Sequence, residues 1–91
     1  MTRIDILDKA KQIVGGHREL EYGSPEDNFQ LIATLWGEYK DIKFTAKDVG
    51  VMMILLKIAR IKTGTDTVDS FIDLAGYSAC TAEIITKGET K

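Results

Sequence analysis

The stretch TAKDVGVMMILLKIARIKTG, Thr45 to Gly64, decides the fold. Thr45 can cap a helix and Asp48 stands three positions on, a capping box with Asp in place of Glu. From Val49 to Ile61 apolar side chains point almost all round that helix, broken only by Lys57 and Arg60. Gly64 ends it. A helix apolar on nearly every side must be covered on nearly every side, so it is the buried centre of a bundle or of an oligomer.

The stretches on either side of it read as helices too. Upstream, Ser24-Pro25-Glu26-Asp27 is a helix start: Ser24 caps, Pro25 suits the first helical position, and two carboxylates meet the positive end of the dipole. That helix runs from Pro25 to about Lys40, with Phe29, Ile32, Ala33 and Trp36 as one apolar stripe and Leu31 and Leu35 widening it. Before it, Ile4, Leu7, Ala10 and Val14 place an amphipathic helix over about 2 to 14, and Gly15-Gly16 is expected to end it. The segment from His17 to Gly23 is either one more helical turn or a loop, with His17 read as a solvated loop residue. Downstream, Thr65 or Asp66 starts a last helix reaching about Thr86, with Phe71, Leu74, Ala75, Ser78, Ala82 and Ile85 as its expected packing face. No strand alternation and no internal repeat competes. The expected architecture is all-α, a four-helix bundle-like single domain over residues 1–91.

Composition narrows the classes. A chain of 91 residues is one domain, and folding removes roughly 64% of its unfolded surface from water, so its core is thin. Twelve Lys and Arg against fourteen Asp and Glu leave a net charge of −2, the wrong sign for a general nucleic-acid binder. One cysteine, Cys80, and one histidine, His17, exclude an internal disulfide and a His/Cys metal site within one chain. The start, Met-Thr-Arg-Ile-Asp, lacks the apolar stretch of a signal peptide, and the apolar run from Val49 to Leu56 stops far short of a membrane span. A cytoplasmic protein with no membrane partner is expected.

Two constellations can carry chemistry. Lys57 and Arg60 interrupt the most apolar helix three residues apart, on nearly one face. Buried cations need anions, and Asp69 and Asp73 on the last helix, four apart and continued by Tyr77, offer them. Read plainly this is an interhelical ion-pair network. Read functionally, the same residues line a pocket that takes a phosphate on the cations or a metal on the carboxylates. The second constellation is Tyr22-Gly23 leading into the Ser24 helix start, where Tyr22 can stack on a base and Asn28 can read its edge or hold a ribose. Trp36, Met52 and Met53 sit at helical spacing, which fits core better than a ligand box. Cys80 lies on the small-residue side of its helix with Gly76 and Ala79, where close packing accounts for it. There is no Gly-rich phosphate loop and no nucleophile elbow, so no catalytic residue is assigned.

From about Arg18 to Glu83 the chain resembles a family of small phage-encoded domains of unknown function. The resemblance rests on Tyr22 to Phe29, Ile32 to Trp36, Asp48-Val49, Leu55 to Arg60, and Asp69 to Tyr77. More distantly, the order of a Tyr-Gly turn, a Lys-x-x-Arg helix and an Asp-x-x-x-Asp helix is similar to the MazG-like nucleotide pyrophosphohydrolase group. That resemblance implies nucleotide binding, magnesium held by helix carboxylates, and assembly as dimers or tetramers. The group pairs a Glu-Glu-x-x-Glu helix with a Glu-x-x-Asp helix, whereas here the second helix offers only Glu26, Asp27 and Glu38. Half of a metal site is poorly equipped to activate water.

The reading that follows is a small phage-type protein that binds a phosphate-bearing nucleotide or nucleotide-derived signal and sequesters it, such as a host immune signal, without cleavage or cofactor. Lys57 and Arg60 would take the phosphates, Asp69 or Asp73 the ribose hydroxyls or a bridging cation, and Tyr22 or Trp36 the base, with Asn28 and Tyr77 in the same pocket. The alternative is a magnesium-dependent pyrophosphohydrolase with Asp69, Asp73 and Glu26 or Glu38 as metal ligands. A second alternative is a helical oligomeric adaptor docking on a host protein. Three neighbours can hardly cover the Thr45–Gly64 helix, so a homo-oligomer is expected, with the pocket at or near the subunit contact.

Overall fold

The computed structural model describes residues 1–64 and 67–89, with the backbone alone at 17–19, 88 and 89. The described residues form helices joined by short turns, without a strand. They form α1 (Arg3–Gln12), a π-helical turn (Ile13–His17), α2 (Arg18–Tyr22), α3 (Pro25–Lys40), α4 (Ala46–Thr63) and α5 (Thr67–Glu89). The all-α expectation holds. No helix among the described residues is long and apolar enough to cross a membrane.

The cap chemistry sets the helix starts as expected. Thr45 Oγ1 accepts from the Asp48 N–H at 3.1 Å while an Asp48 carboxylate oxygen accepts from the Thr45 N–H at 2.9 Å. Thr2 and Asp5 form the same reciprocal pair at the start of α1. Ser24 Oγ accepts from the Asp27 N–H at 3.3 Å, with Pro25 in the first turn. At the other end of α3, Asp41 takes a left-handed conformation (φ 56°) and the chain folds back tightly enough that a Cβ on Gly37 would lie 2.7 Å from the Ile42 carbonyl oxygen. The expected start of α5 at Thr65 or Asp66 falls outside the described residues.

Two expectations fail. Gly15-Gly16 does not end the first helix. The pair sits inside a π-helical turn that passes the chain straight into α2, and His17 belongs to that turn and to no loop. Neither glycine has a positive φ; the first left-handed residue after them is Gly23 (φ 79°), eight positions after Gly15. Helix continuation needs no side chain at Gly15 or Gly16, and widening the hydrogen-bond ladder by one residue re-aims the helix instead of stopping it.

The second failure is the packing face of α5. Phe71, Ser78, Ala82 and Ile85 are exposed, and only Leu74 and Ala75 of that expected face are half-buried. The covered side carries Ile72, Gly76, Tyr77, Cys80 and Thr81. The reason is steric. Helices approach closest where side chains are smallest: a Cβ on Gly50 would lie 2.0 Å from Thr81 Oγ1, and one on Gly76 would lie 3.2 Å from Val14 Cγ1. Thr81 hides its hydroxyl by donating to the Tyr77 carbonyl at 2.7 Å, so α4 can press against it. The central cluster, Phe29, Ala33 and Val49 with Trp36, Phe44, Met53, Tyr77 and Ile84 around it, lies where α3 crosses the α4–α5 hairpin.

Candidate functional site

Beside that cluster a cleft of about 120 Å³ opens between α1, α3, α4 and α5. Its lining is mainly apolar: Ala10, Ile13 and Val14 from the first helix and π turn, Phe29 and Ile32 from α3, Met53 from α4, and Ile72, Gly76 and Cys80 from α5. Its polar groups are few and come from four places in the chain: Tyr22, Asn28, Asp73 and Tyr77.

Local structure explains how each arrives. The positive φ of Gly23 turns the chain sharply from α2 into the Ser24 cap, which leaves Tyr22 at the mouth of the cleft, 61% exposed. Asn28 follows one helical turn after Ser24, whose carbonyl accepts its N–H at 3.0 Å, and its side chain is half-buried. Tyr77 is held by packing, its ring centroid 6.1 Å from that of Phe29 in a tilted arrangement. Asp73, one turn before Tyr77, accepts from Lys57 Nζ at 2.9 Å, and both side chains are largely sheltered (18% and 23% exposed for Lys57 and Asp73). The two charges offset each other's desolvation at the edge of an apolar site.

The structure therefore gathers Tyr22, Asn28, Asp73 and Tyr77 around one cleft and ties Lys57 to it through Asp73. It does not bring the remaining candidates there. Trp36 stacks edge-on against Phe44, centroids 6.2 Å apart, within the core. Arg60 and Asp69 are exposed, and among the described residues neither lines the cleft. Of the expected network only the Lys57–Asp73 bond is seen among the described residues. The apolar floor, with Val14, Gly76 and Cys80, was not singled out as a site from sequence. Its signal was there in the Ile72-x-x-x-Gly76-x-x-x-Cys80 spacing, which puts these residues on one face of a helix.

The carboxylates do not converge on a metal. Among the described residues no three His, Cys, Asp or Glu side chains are grouped to hold an ion. Glu26 is engaged elsewhere, accepting from Lys87 Nζ at 3.1 Å, and Glu38 is exposed on the last turns of α3. Burial raises the Glu26 pKa, but hydrogen bonds from Lys87, its own backbone and the Glu83 side chain, with the Lys87 charge, outweigh it and hold the carboxyl below its ordinary value of 4.5.

Residues 5–85 match the family described as a domain of unknown function, DUF6378. The chain belongs to this family. Two curated relatives are phage proteins: the Gene 55 protein of Mycobacterium phage L5, 47% identical over 76 residues, and the Gene 55 protein of Mycobacterium phage D29, 42% identical over 79 residues. These alignments take in 82% and 87% of this chain but 49% and 52% of the relatives, so the chain spans about half the length of the curated relatives it matches. No solved structure matches it. The resemblance to small phage-encoded domains is thus a family relationship; the likeness to MazG-like enzymes is not among these matches.

Proposed function

We propose that this DUF6378 domain binds a phosphate-bearing nucleotide or nucleotide-derived signal, seating one planar ring in the α1–α3–α4–α5 cleft, and that it holds the ligand without cleaving it. The observation that carries this reading is a small apolar cleft with two tyrosines, one half-buried amide and one sheltered ion pair at its wall. A dry cavity of roughly 150 Å³ accepts a benzene-sized molecule, so an open cleft of about 120 Å³ takes the edge of one base and leaves the rest of a nucleotide outside. Tyr22 then closes over the ring, Asn28 bonds its edge, and the phosphates lie outward over α4. There Lys57 exchanges part of its bond with Asp73 for a phosphate oxygen, and Arg60, three residues on, adds a second cation. Asp73, freed in part, takes a ribose hydroxyl. Sequestration fits relatives that are phage proteins, with a host signalling nucleotide as the class of ligand that gains nothing for the phage while free.

Titration calorimetry against a panel of cyclic and linear nucleotides tests this, followed by release of the bound ligand on heating and its mass measurement. Binding at micromolar or better, weakened at least tenfold by Asn28→Ala and by Lys57→Met, with the ligand recovered intact, is the expected result. Absence of binding across the panel, or recovery of a cleaved product, overturns it.

A further inference from the structure

Two stripes of apolar residues lie on the outside of the α4–α5 hairpin. On α4 they are Val51, Leu55 and Ile58, which are 41%, 58% and 50% exposed. On α5 they are Phe71, Ala82 and Ile85, all exposed, with exposed Ser78 and half-buried Leu74 and Ala75 between them. Helical geometry puts both stripes on the same side. The hairpin touches along Gly50–Thr81 and Lys57–Asp73. At about 100° per residue, Val49 and Met53 on α4, and Tyr77, Cys80 and Ile84 on α5, turn from that line toward α3, where they pack on its core. Val51, Leu55 and Ile58, with Phe71, Ser78 and Ala82, turn the other way. The outer face is therefore opposite the cleft side, and no charged residue interrupts either stripe between Val51 and Ile58 or between Phe71 and Ile85.

The surface arithmetic says how much is uncovered. The chain exposes 6724 Å², whereas a monomeric protein of its mass exposes about 5,300 Å² by area scaling. Its radius of gyration, 13.9 Å, likewise exceeds the roughly 12 Å of a compact chain of this length. The surplus on one chain, about 1,400 Å², exceeds the roughly 800 Å² that each partner contributes to a standard interface. The face itself, about 20 Å long on α5 and about 10 Å on α4, supplies the apolar centre of such an interface.

Its shape indicates the occupant. The α4 half of the face projects large aliphatic side chains, Val51, Leu55 and Ile58, while the middle of the α5 half is shallow, built on Ala75, Ser78 and Ala82. A two-fold axis parallel to the helices lays the large half of one copy on the shallow half of another, twice. Every neighbouring helix pair in the resulting four-helix core is then antiparallel. We propose that a second copy of this chain packs on the outer face of the α4–α5 hairpin, making a closed dimer whose two clefts open on its opposite outer sides. The proposal goes beyond ligand binding and does not depend on it.

Light scattering behind size exclusion, on the full chain at micromolar concentration, tests it. The expected mass is twice the 10.1 kDa of one chain. Leu55→Glu and Phe71→Glu, each on a side chain exposed in the single copy, are expected to halve that mass with the helical circular dichroism retained. Leu35→Glu, on an exposed residue of α3 away from this face, is expected to leave it doubled. If either Glu variant loses helicity, Leu55→Ser is the milder probe, with an expected rise of at least tenfold in the dimer dissociation constant. A single-chain mass for the unaltered protein overturns the proposal, whatever other molecule the chain then captures. So do a mass above two chains and a doubled mass that the outer-face substitutions leave unchanged.

Discussion

The two sides of the α4–α5 hairpin are built from the same kinds of residue and meet different fates. On one side Val49, Met53, Tyr77 and Ile84 pack under α3. On the other, Val51, Leu55, Ile58 and Phe71 stay largely open. Hydrophobicity does not distinguish them, since α4 is apolar nearly all round. What distinguishes them is which side the α3 and α1 connections can reach and where small residues let helices approach. A side chain's contribution to stability therefore depends on its side of the hairpin more than on its type.

Phenylalanine gives the sharpest form of that contrast. Phe29 is 7% exposed and Phe71 is 52% exposed. Phe29→Ala should cost about 4 kcal/mol in denaturant unfolding, the usual scale for a buried aromatic. A cost below about 1 kcal/mol would break the distinction between the two sides. Next in size, Gly50→Val tests the close approach that selects the covered side. Its Cβ would overlap the Thr81 hydroxyl, so α4 and α5 must separate, at about 3 kcal/mol. Adding Thr81→Ala should recover part of that loss, because the overlapping atoms belong to Thr81.

Smaller effects belong to the surface. Glu26→Gln removes one of the carboxylate partners of Lys87, for about 0.5 kcal/mol at neutral pH. The sign of its pH dependence follows from the lowered pKa. The ionised Glu26 contributes stability above its ordinary value of 4.5, and that contribution is lost as pH falls through the still lower folded value. Thermal melts of the unaltered chain and the Gln variant should thus converge on acidification; divergence would refute the assignment. Smallest of all, Phe71→Ala should change the unfolding free energy of dilute single chains by less than about 0.5 kcal/mol. A loss that grows with protein concentration would instead report Phe71 in an interface.

Much of the local structure was legible from residue chemistry. Thr45 with Asp48, and Ser24 with Pro25, set helix starts that the structure reproduces, because capping is settled within four residues of chain. Part of the site was legible on the same terms: Asp73 and Tyr77 share a helix face by spacing, and Lys57 needed an anion. Asn28 and Tyr22 reached the cleft through the Gly23 turn that the Tyr-Gly pair had marked. Trp36, Arg60 and Asp69 lie away from the cleft because their surroundings are set by helix crossing, and one turn along a helix separates a cleft residue from a core or solvent residue. The glycine pair at 15–16 was misread for a related reason: glycine permits a helix end without requiring one.

Sequence alone determined the starts of the Pro25 and Ala46 helices and the all-α class, since each depends on contacts within a few residues. Tertiary structure alone decided which face of α5 is covered, that Gly50 and Thr81 meet, and that a small apolar cleft forms beside Phe29. An apolar helix satisfies its own backbone whichever way it faces. Its orientation is chosen only where side chains from distant positions compete for the same space, and that competition is absent from any short stretch of the chain.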